Sequence, residues 1–179
     1  LRALIAWMVG SKPEKPTIIK LEKTNIGGVA KMDNFARFSL VGLEDCPGVA
    51  FKVFSLLSRH NVNVDIILQS VGRSGSKDIS FTCPLSSLDD ARRVLEKNKD
   101  VLEYDSIEVD DNVAKISLVG AGMMTHVGVA SDMFEALYDA GINIQMIATS
   151  EIRISVLVNK DDANRAIKVV HDKFFGNED

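Results

Sequence analysis

The residues of this chain best placed to do chemistry stand beside two glycines. Gly48 and Gly128 each follow a short turn and precede an apolar stretch at helical spacing. A helix N-terminus presents unpaired N–H groups and partial positive charge, which suits a small carboxylate. Glycine there lets backbone approach a ligand closely, and equally it permits a tight strand-to-helix turn. Asp45, three residues before Gly48, can cap the helix or accept hydrogen bonds from a ligand ammonium or hydroxyl. Asn63 and Asn143 sit between β-branched neighbours where a strand starts. An amide there can hold a turn or hydrogen-bond a polar ligand in a groove between units. Gln69 is similar at the end of the same strand, and Ser150-Glu151 follows Thr149 where two strands meet. An acid in so apolar a stretch needs a partner, unless it lies on a solvent-facing hairpin.

These residue types bind; they do not make a reaction centre. There is no Gly-rich phosphate loop ending in Lys and Ser or Thr, no dinucleotide fingerprint and no metal-binding helix. Cys46 and Cys83 lie beside prolines without a nearby histidine, and Ser80 and Ser155 read as strand residues. His60, His126 and His171 are scattered, with no metal-ligand spacing. No nucleophile, base and orienting group come together, so no catalytic residue is expected. Met123-Met124 reads as gap-filling packing. The net charge of −4 argues against a nucleic-acid surface. No apolar run reaches the ~20 residues that a membrane span needs. Two cysteines make no disulfide framework and point to a reduced, cytoplasmic setting.

The elements that must position these residues are written twice. Leu40-Val41-Gly42 recurs as Leu118-Val119-Gly120, Gly48-Val49-Ala50 as Gly128-Val129-Ala130, and Ile79-Ser80 as Ile154-Ser155, offsets of 78, 80 and 75. The drift puts length changes in connections and leaves the elements alone, as tandem copies of one unit would. A hydrophobic share of 46% is enough for each copy to bury a core.

The first copy reads as a strand over 34–43, a helix over 49–60, strands over 62–71 and 78–83, a helix over 88–99 capped by Ser87, and a strand over 101–109. That β-α-β-β-α-β order is the split pattern of an α+β, ferredoxin-like sandwich, an antiparallel sheet with both helices on one face. The second copy runs strand 114–119, helix 127–140, strands 142–149 and 152–158, and helix 161–175, and lacks a fourth strand. An open sheet edge is a liability. The segment Ile26 to Ala30 is a candidate to fill it, which makes the first unit an insertion in the second. The expected division is 1–23 a linker or appended lead, 24–33 a strand given to the second unit, 34–110 the first unit, 111–175 the second and 176–179 a tail. Thr17 to Leu21 reads as a further short extended segment. Leu1 to Val9 is apolar but is followed by no small-residue cleavage site, which argues against a secretory signal.

Gly120-Ala121-Gly122-Met123, Met133-Phe134-Glu135-Ala136-Leu137, Gly141-Ile142-Asn143-Ile144 and Thr149-Ser150-Glu151-Ile152-Arg153-Ile154-Ser155-Val156 resemble the second ACT domain of an aspartate kinase (aspartokinase). Asp45-Cys46-Pro47-Gly48-Val49-Ala50, Val62-Asn63-Val64-Asp65-Ile66-Ile67-Leu68-Gln69 and Asp78-Ile79-Ser80-Phe81-Thr82 resemble the first. The resemblance covers roughly residues 24 to 175 and implies a carboxy-terminal regulatory region. Such regions control an enzyme that phosphorylates the aspartate side chain with ATP, on the route to lysine, threonine and methionine. It implies no cofactor in this chain, since ATP and Mg would bind a kinase domain outside it. It also implies an ACT-mediated homodimer, a kinase domain or α subunit as partner, and lysine, threonine or both as effectors at ACT interfaces. Carried over by position, the effector-binding residues are Asp45, Gly48, Val49, Ala50 and Gln69, facing Asn143 and Ile144, with Ser150 and Glu151 in the second motif. Ser70 stands where many relatives have Asn, which bears on ligand identity. Val127 replaces a common Pro, which touches only helix entry. Beside the allosteric sensor stands a second class, an ACT dimerisation or scaffold module that binds no amino acid. A third is an enzyme in its own right, since ferredoxin-like sandwiches host many chemistries.

Overall fold

The computed structural model describes residues 26–72, 75–120 and 127–176. Readings on residues 1–25, Thr17 to Leu21 included, and on Met123-Met124, His126 and 177–179 lie outside the described residues. Strand β1 (Ile26–Met32) comes first. The first unit then follows as β2 (Phe35–Leu43), α1 (Val49–Arg59), β3 (Ile67–Val71), β4 (Lys77–Pro84), α2 (Leu88–Lys97), the short α3 (Lys99–Leu102) and β5 (Ser106–Asp110). The second unit is β6 (Val113–Gly120), α4 (Val129–Asp139), β7 (Met146–Ser150), β8 (Arg153–Asn159) and α5 (Ala163–Phe175). Two four-stranded sheets result, ordered β3-β4-β2-β5 and β1-β6-β8-β7, with every neighbouring pair antiparallel. Strand β1 pairs with β6 from Met32 opposite Lys115 to Ile26 opposite Gly120, so it forms one edge of the second sheet.

Alternation along the strands sets the cores. Ala36, Phe38 and Leu40 of β2 and Ile79, Phe81 and Cys83 of β4 are wholly buried on one face, against Val53 and Leu57 of α1 and Ala91 and Leu95 of α2. The Phe38 and Phe81 rings stack at 5.2 Å, and Phe54 meets Phe81 edge-on at 5.8 Å. Burying one such side chain contributes about 1.5–3 kcal/mol before the cost of ordering it. The second unit repeats this with Ile116, Leu118, Val156 and Val158 against Met133 and Leu137 of α4 and Ala166 and Val170 of α5.

Both first helices also end alike. Val62 N–H donates to Leu57 and Asn61 N–H to Ser58, while Ile142 N–H donates to Leu137 and Gly141 N–H to Tyr138. Asn61 and Gly141 carry the positive φ (56° and 65°) that this reversal requires.

Three local expectations change in the first unit. The segment 101–105 is no strand. Val101 and Leu102 accept a helical turn, with both N–H groups donating to Asn98, and Tyr104 drops into the first core with its hydroxyl donating to Leu95 O. Pairing begins at Ile67 rather than Val62, because Asp65 and Ile66 both oppose Thr82. Asp65 N–H donates to Thr82 O and Thr82 N–H to Ile66 O, while the spare Ile66 N–H is taken by Thr82 Oγ1. This is a bulge whose odd donor is satisfied by a side chain. Ser87 does precede α2 but makes no side-chain cap; Asp89 and Asp90 in the first turn complement the helix end instead.

The sheet faces turned away from the helices meet each other. Phe35, Val113, Met146 and Leu157 form a small buried cluster with Ile66 packed on it. Under the repeat Phe35 corresponds to Val113 and Ile66 to Met146. Equivalent residues meeting one another is the mark of a two-fold, face-to-face arrangement. Each such face also carries one serine pair across its central strands, Ser39 with Ser80 at 2.9 Å and Ser117 with Ser155 at 2.8 Å.

Candidate functional site

At the end of β2 the backbone is displaced by one residue. Leu40 lies opposite Ile79, but Leu43 lies opposite Lys77, so three steps on β2 match two on β4. Gly42 absorbs the extra residue at φ 77°, and its N–H donates to Asp78 Oδ1 at 2.9 Å. The bulge returns Leu43 to the core and aims the following loop across the sheet end. There Asp45 reaches Lys77, Oδ2 to Nζ 3.3 Å, with Asp45 half exposed.

Gly48 is the N-cap of α1, at φ 93°, without a side-chain cap. A Cβ built on it would meet nothing within 4 Å, so the space before the helix is open. Asp45 is therefore not the cap of this helix, and its described partner is Lys77. Val49 is buried in the core at 7% exposure, and Ala50 is partly buried against it. Gln69 lies on β3 opposite Ile79, and Val71 at the strand end lies opposite Lys77. The end of β2, the start of β4 and the end of β3 thus gather Asp45, Gly48, Lys77 and Gln69 at one end of the first sheet. All five residues of β3 are exposed, and the strand is an open edge.

The remaining candidates lie in the second unit. Asn143 is exposed after α4, and Ile144 is partly buried against the second core. Ser150 ends the edge strand β7, its hydroxyl 3.5 Å from Arg153 O, and Glu151 is exposed in the turn to β8. The solvent-facing hairpin removes the need for a buried partner to Glu151. Among the described residues no hydrogen bond or ion pair joins Asn143, Ile144, Ser150 or Glu151 to the Asp45 group. Within one chain the candidates fall into three groups: that around Asp45, Asn143-Ile144 ahead of β7, and Ser150-Glu151 at its other end.

Lys77 is the member that the sequence pattern does not single out, since it reads as one more polar residue of a turn. Cys83 lies at the far end of β4, and its burial pushes the thiol up to about 11, which keeps it protonated and unreactive at neutral pH. No group of three or more metal-ligating side chains occurs among the described residues. No helix among them is long and apolar enough to cross a membrane.

Comparison with known proteins agrees with the two-unit fold. The ACT-domain family matches residues 38–98 and 116–174, one match per unit. The chain is 42% identical over 158 residues to the aspartokinase of Corynebacterium efficiens, covering 87% of this chain and 38% of that protein. It therefore spans about two fifths of the length of such curated relatives. The solved regulatory subunit of aspartate kinase from Thermus thermophilus superposes with a TM-score of 0.78 at 35% identity, over 84% of this chain and 99% of that one. A chain in a structure of aspartokinase alpha and beta subunits gives 0.78 at 40% identity, over 83% and 98%.

Proposed function

The chain belongs to the ACT-domain family as the tandem-ACT regulatory region of an aspartokinase, and from that premise we propose that it binds a feedback amino acid and restrains a kinase. The effector is lysine, threonine or both. The restrained reaction is ATP-dependent phosphorylation of L-aspartate, carried out by a kinase domain or α subunit outside this chain.

The observation that carries the reading is the convergence of Asp45, Lys77, Gln69 and the open Gly48 turn at one sheet end. The chemistry fits a zwitterion. The N–H groups opening α1 face its carboxylate, and Asp45 and the Gln69 amide take its ammonium and side chain. Edge strand β3 is exposed along its whole length, with Ile67, Leu68 and Val71 apolar. A second copy laid against that edge would bring Asn143 and Ile144 to face Gln69 and complete the groove. Ser150 and Glu151, at the end of edge strand β7, would belong to the second groove of the pair. An effector shared between two copies favours one arrangement of them, and it acts on an attached kinase only through that differential affinity.

Calorimetric titration with lysine and threonine, each alone and then together, tests the reading. Saturable heat with at least one of them supports it. The exposed apolar edge also suits the second reading, an ACT scaffold that binds no amino acid. That reading is favoured by a dimer whose mass and melting temperature ignore both effectors.

A further inference from the structure

The face of the second sheet turned away from its helices carries two cations. Lys115 of β6 is buried to 3% exposure, and Arg153 of β8 lies on the same face toward the other end of that strand. Lys115 Nζ reaches out of its own unit. It pairs with Asp65 of the first unit and lies 5.7 Å from the Phe35 ring centroid. On either side of this contact a cleft opens between the units, of about 310 Å³ and 420 Å³, and Asp65, Lys115 and Arg153 line both. Thr149, Ser150 and Ser155 add hydroxyls to the smaller cleft, and Asn34 and Asn63 add amides to the larger.

The charges in this joint do not balance. Two cations face one carboxylate, and the Arg153 guanidinium has no hydrogen-bond or ion-pair partner among the described residues. The joint is also one-sided. Under the repeat, Lys115 corresponds to Arg37 (offset 78) and Asp65 to Gln145 (offset 80). Arg37 turns instead to Asp110 at 3.7 Å, and Gln145 Oε1 is buried without a partner among the described residues. Among the described residues the Lys115–Asp65 ion pair across the joint has no counterpart between Arg37 and Gln145.

We propose that the larger cleft is a second, intrachain site that takes a small carboxylate, held by Arg153 with Lys115 and closed by the first unit through Asn63. A planar guanidinium and an ammonium lining one cleft suit a carboxylate, since both make charge-assisted hydrogen bonds to it. The ligand touches both units, so its binding holds their relative orientation. The site stands apart from the Asp45 groove and does not depend on it.

Two probes at constant ionic strength separate the sources of such a carboxylate: succinate, with no ammonium, and glycine, whose ammonium would meet Asp65. Calorimetric titration of the 179-residue chain should show saturable binding of at least one probe. Arg153→Gln should weaken it by about tenfold or more, Arg153→Lys should recover part of the loss, and Asp45→Ala should leave it within about twofold. Saturation by succinate would assign a simple organic acid, and saturation by glycine alone an amino acid. No saturable binding of either probe, or an Arg153→Gln affinity within twofold of the parent, overturns the proposal. Loss of binding in Asp45→Ala alone would place the ligand in the other groove and equally overturn it.

Discussion

Lys77 Nζ stands 3.3 Å from Asp45 Oδ2, which ties the loop before α1 to the strand that runs beside Gln69. The pair is surface-exposed on the Asp45 side, so its worth to stability is small, on the order of 0–1 kcal/mol. Under the proposed function Asp45 matters more to a ligand than to stability. Asp45→Ala should reduce lysine or threonine affinity by about tenfold or more while the melting temperature moves only a few degrees. Gln69→Ala should act in the same direction. Calorimetry beside thermal denaturation checks both. A collapse of stability with unchanged affinity would leave Asp45 a purely structural residue.

Gly48 sits at φ 93° with open space where a Cβ would go, so its requirement is conformational and not steric. Gly48→Ala should cost about 1–2 kcal/mol, the penalty of a left-handed residue bearing a Cβ. Gly28→Ala, where an added Cβ also meets nothing within 4 Å, should stay within about 0.5 kcal/mol of the parent. Urea denaturation of the two variants separates these outcomes.

Phe81 stacks on Phe38 and takes Phe54 on its edge, with no exposure of its own. Phe81→Ala leaves a cavity beside the Phe38 and Phe54 rings and should destabilise the chain by about 3–5 kcal/mol. A midpoint in urea close to that of the parent would mean that the first core collapses around the gap.

Cys83 gives a pH signature. Its thiol is raised from 9.0 to about 11 by burial, so the folded chain keeps a proton that the unfolded chain releases. Between those values the unfolded state binds fewer protons, and stability falls as pH rises, by at most about 1.4 kcal/mol per unit. Below pH 9 the contribution is fully present. Comparing urea midpoints of the parent and Cys83→Ala from pH 8 to 10.5 isolates it, and parallel curves would count against the burial argument.

The architecture was legible because both copies write their cores in the same alternation. Ala36, Phe38 and Leu40 mark one strand face, and Ile116 and Leu118 mark its counterpart. Less legible were features that depend on register. Lys77 meets Asp45 only because the Gly42 bulge slides Leu43 opposite it, and nothing in the polar turn sequence announces that slip. The Asp65–Ile66 bulge likewise depends on Thr82, a partner sixteen residues away from Ile66. Val101 and Leu102 look extended on local composition, yet burial of Leu102 and Tyr104 holds that segment in a helical turn. Lys115 was hidden for another reason. Alternation assigns it to the face away from the helices, which in an isolated unit is solvent, and only the first unit packed there buries it. Of the proposed ligand groove, one wall lies in each unit, and among the described residues no hydrogen bond or ion pair joins Asp45 to Asn143.

The most direct test is a crystal of this chain soaked with lysine and threonine. The account predicts an amino acid bound before α1, its carboxylate on the Gly48 turn and its ammonium within hydrogen-bond reach of Asp45 and Gln69. Asn143 and Ile144 of a second copy should close over it. At saturating concentrations, an unliganded Gly48 turn, or an amino acid bound only away from Asp45 and Gln69, would contradict it.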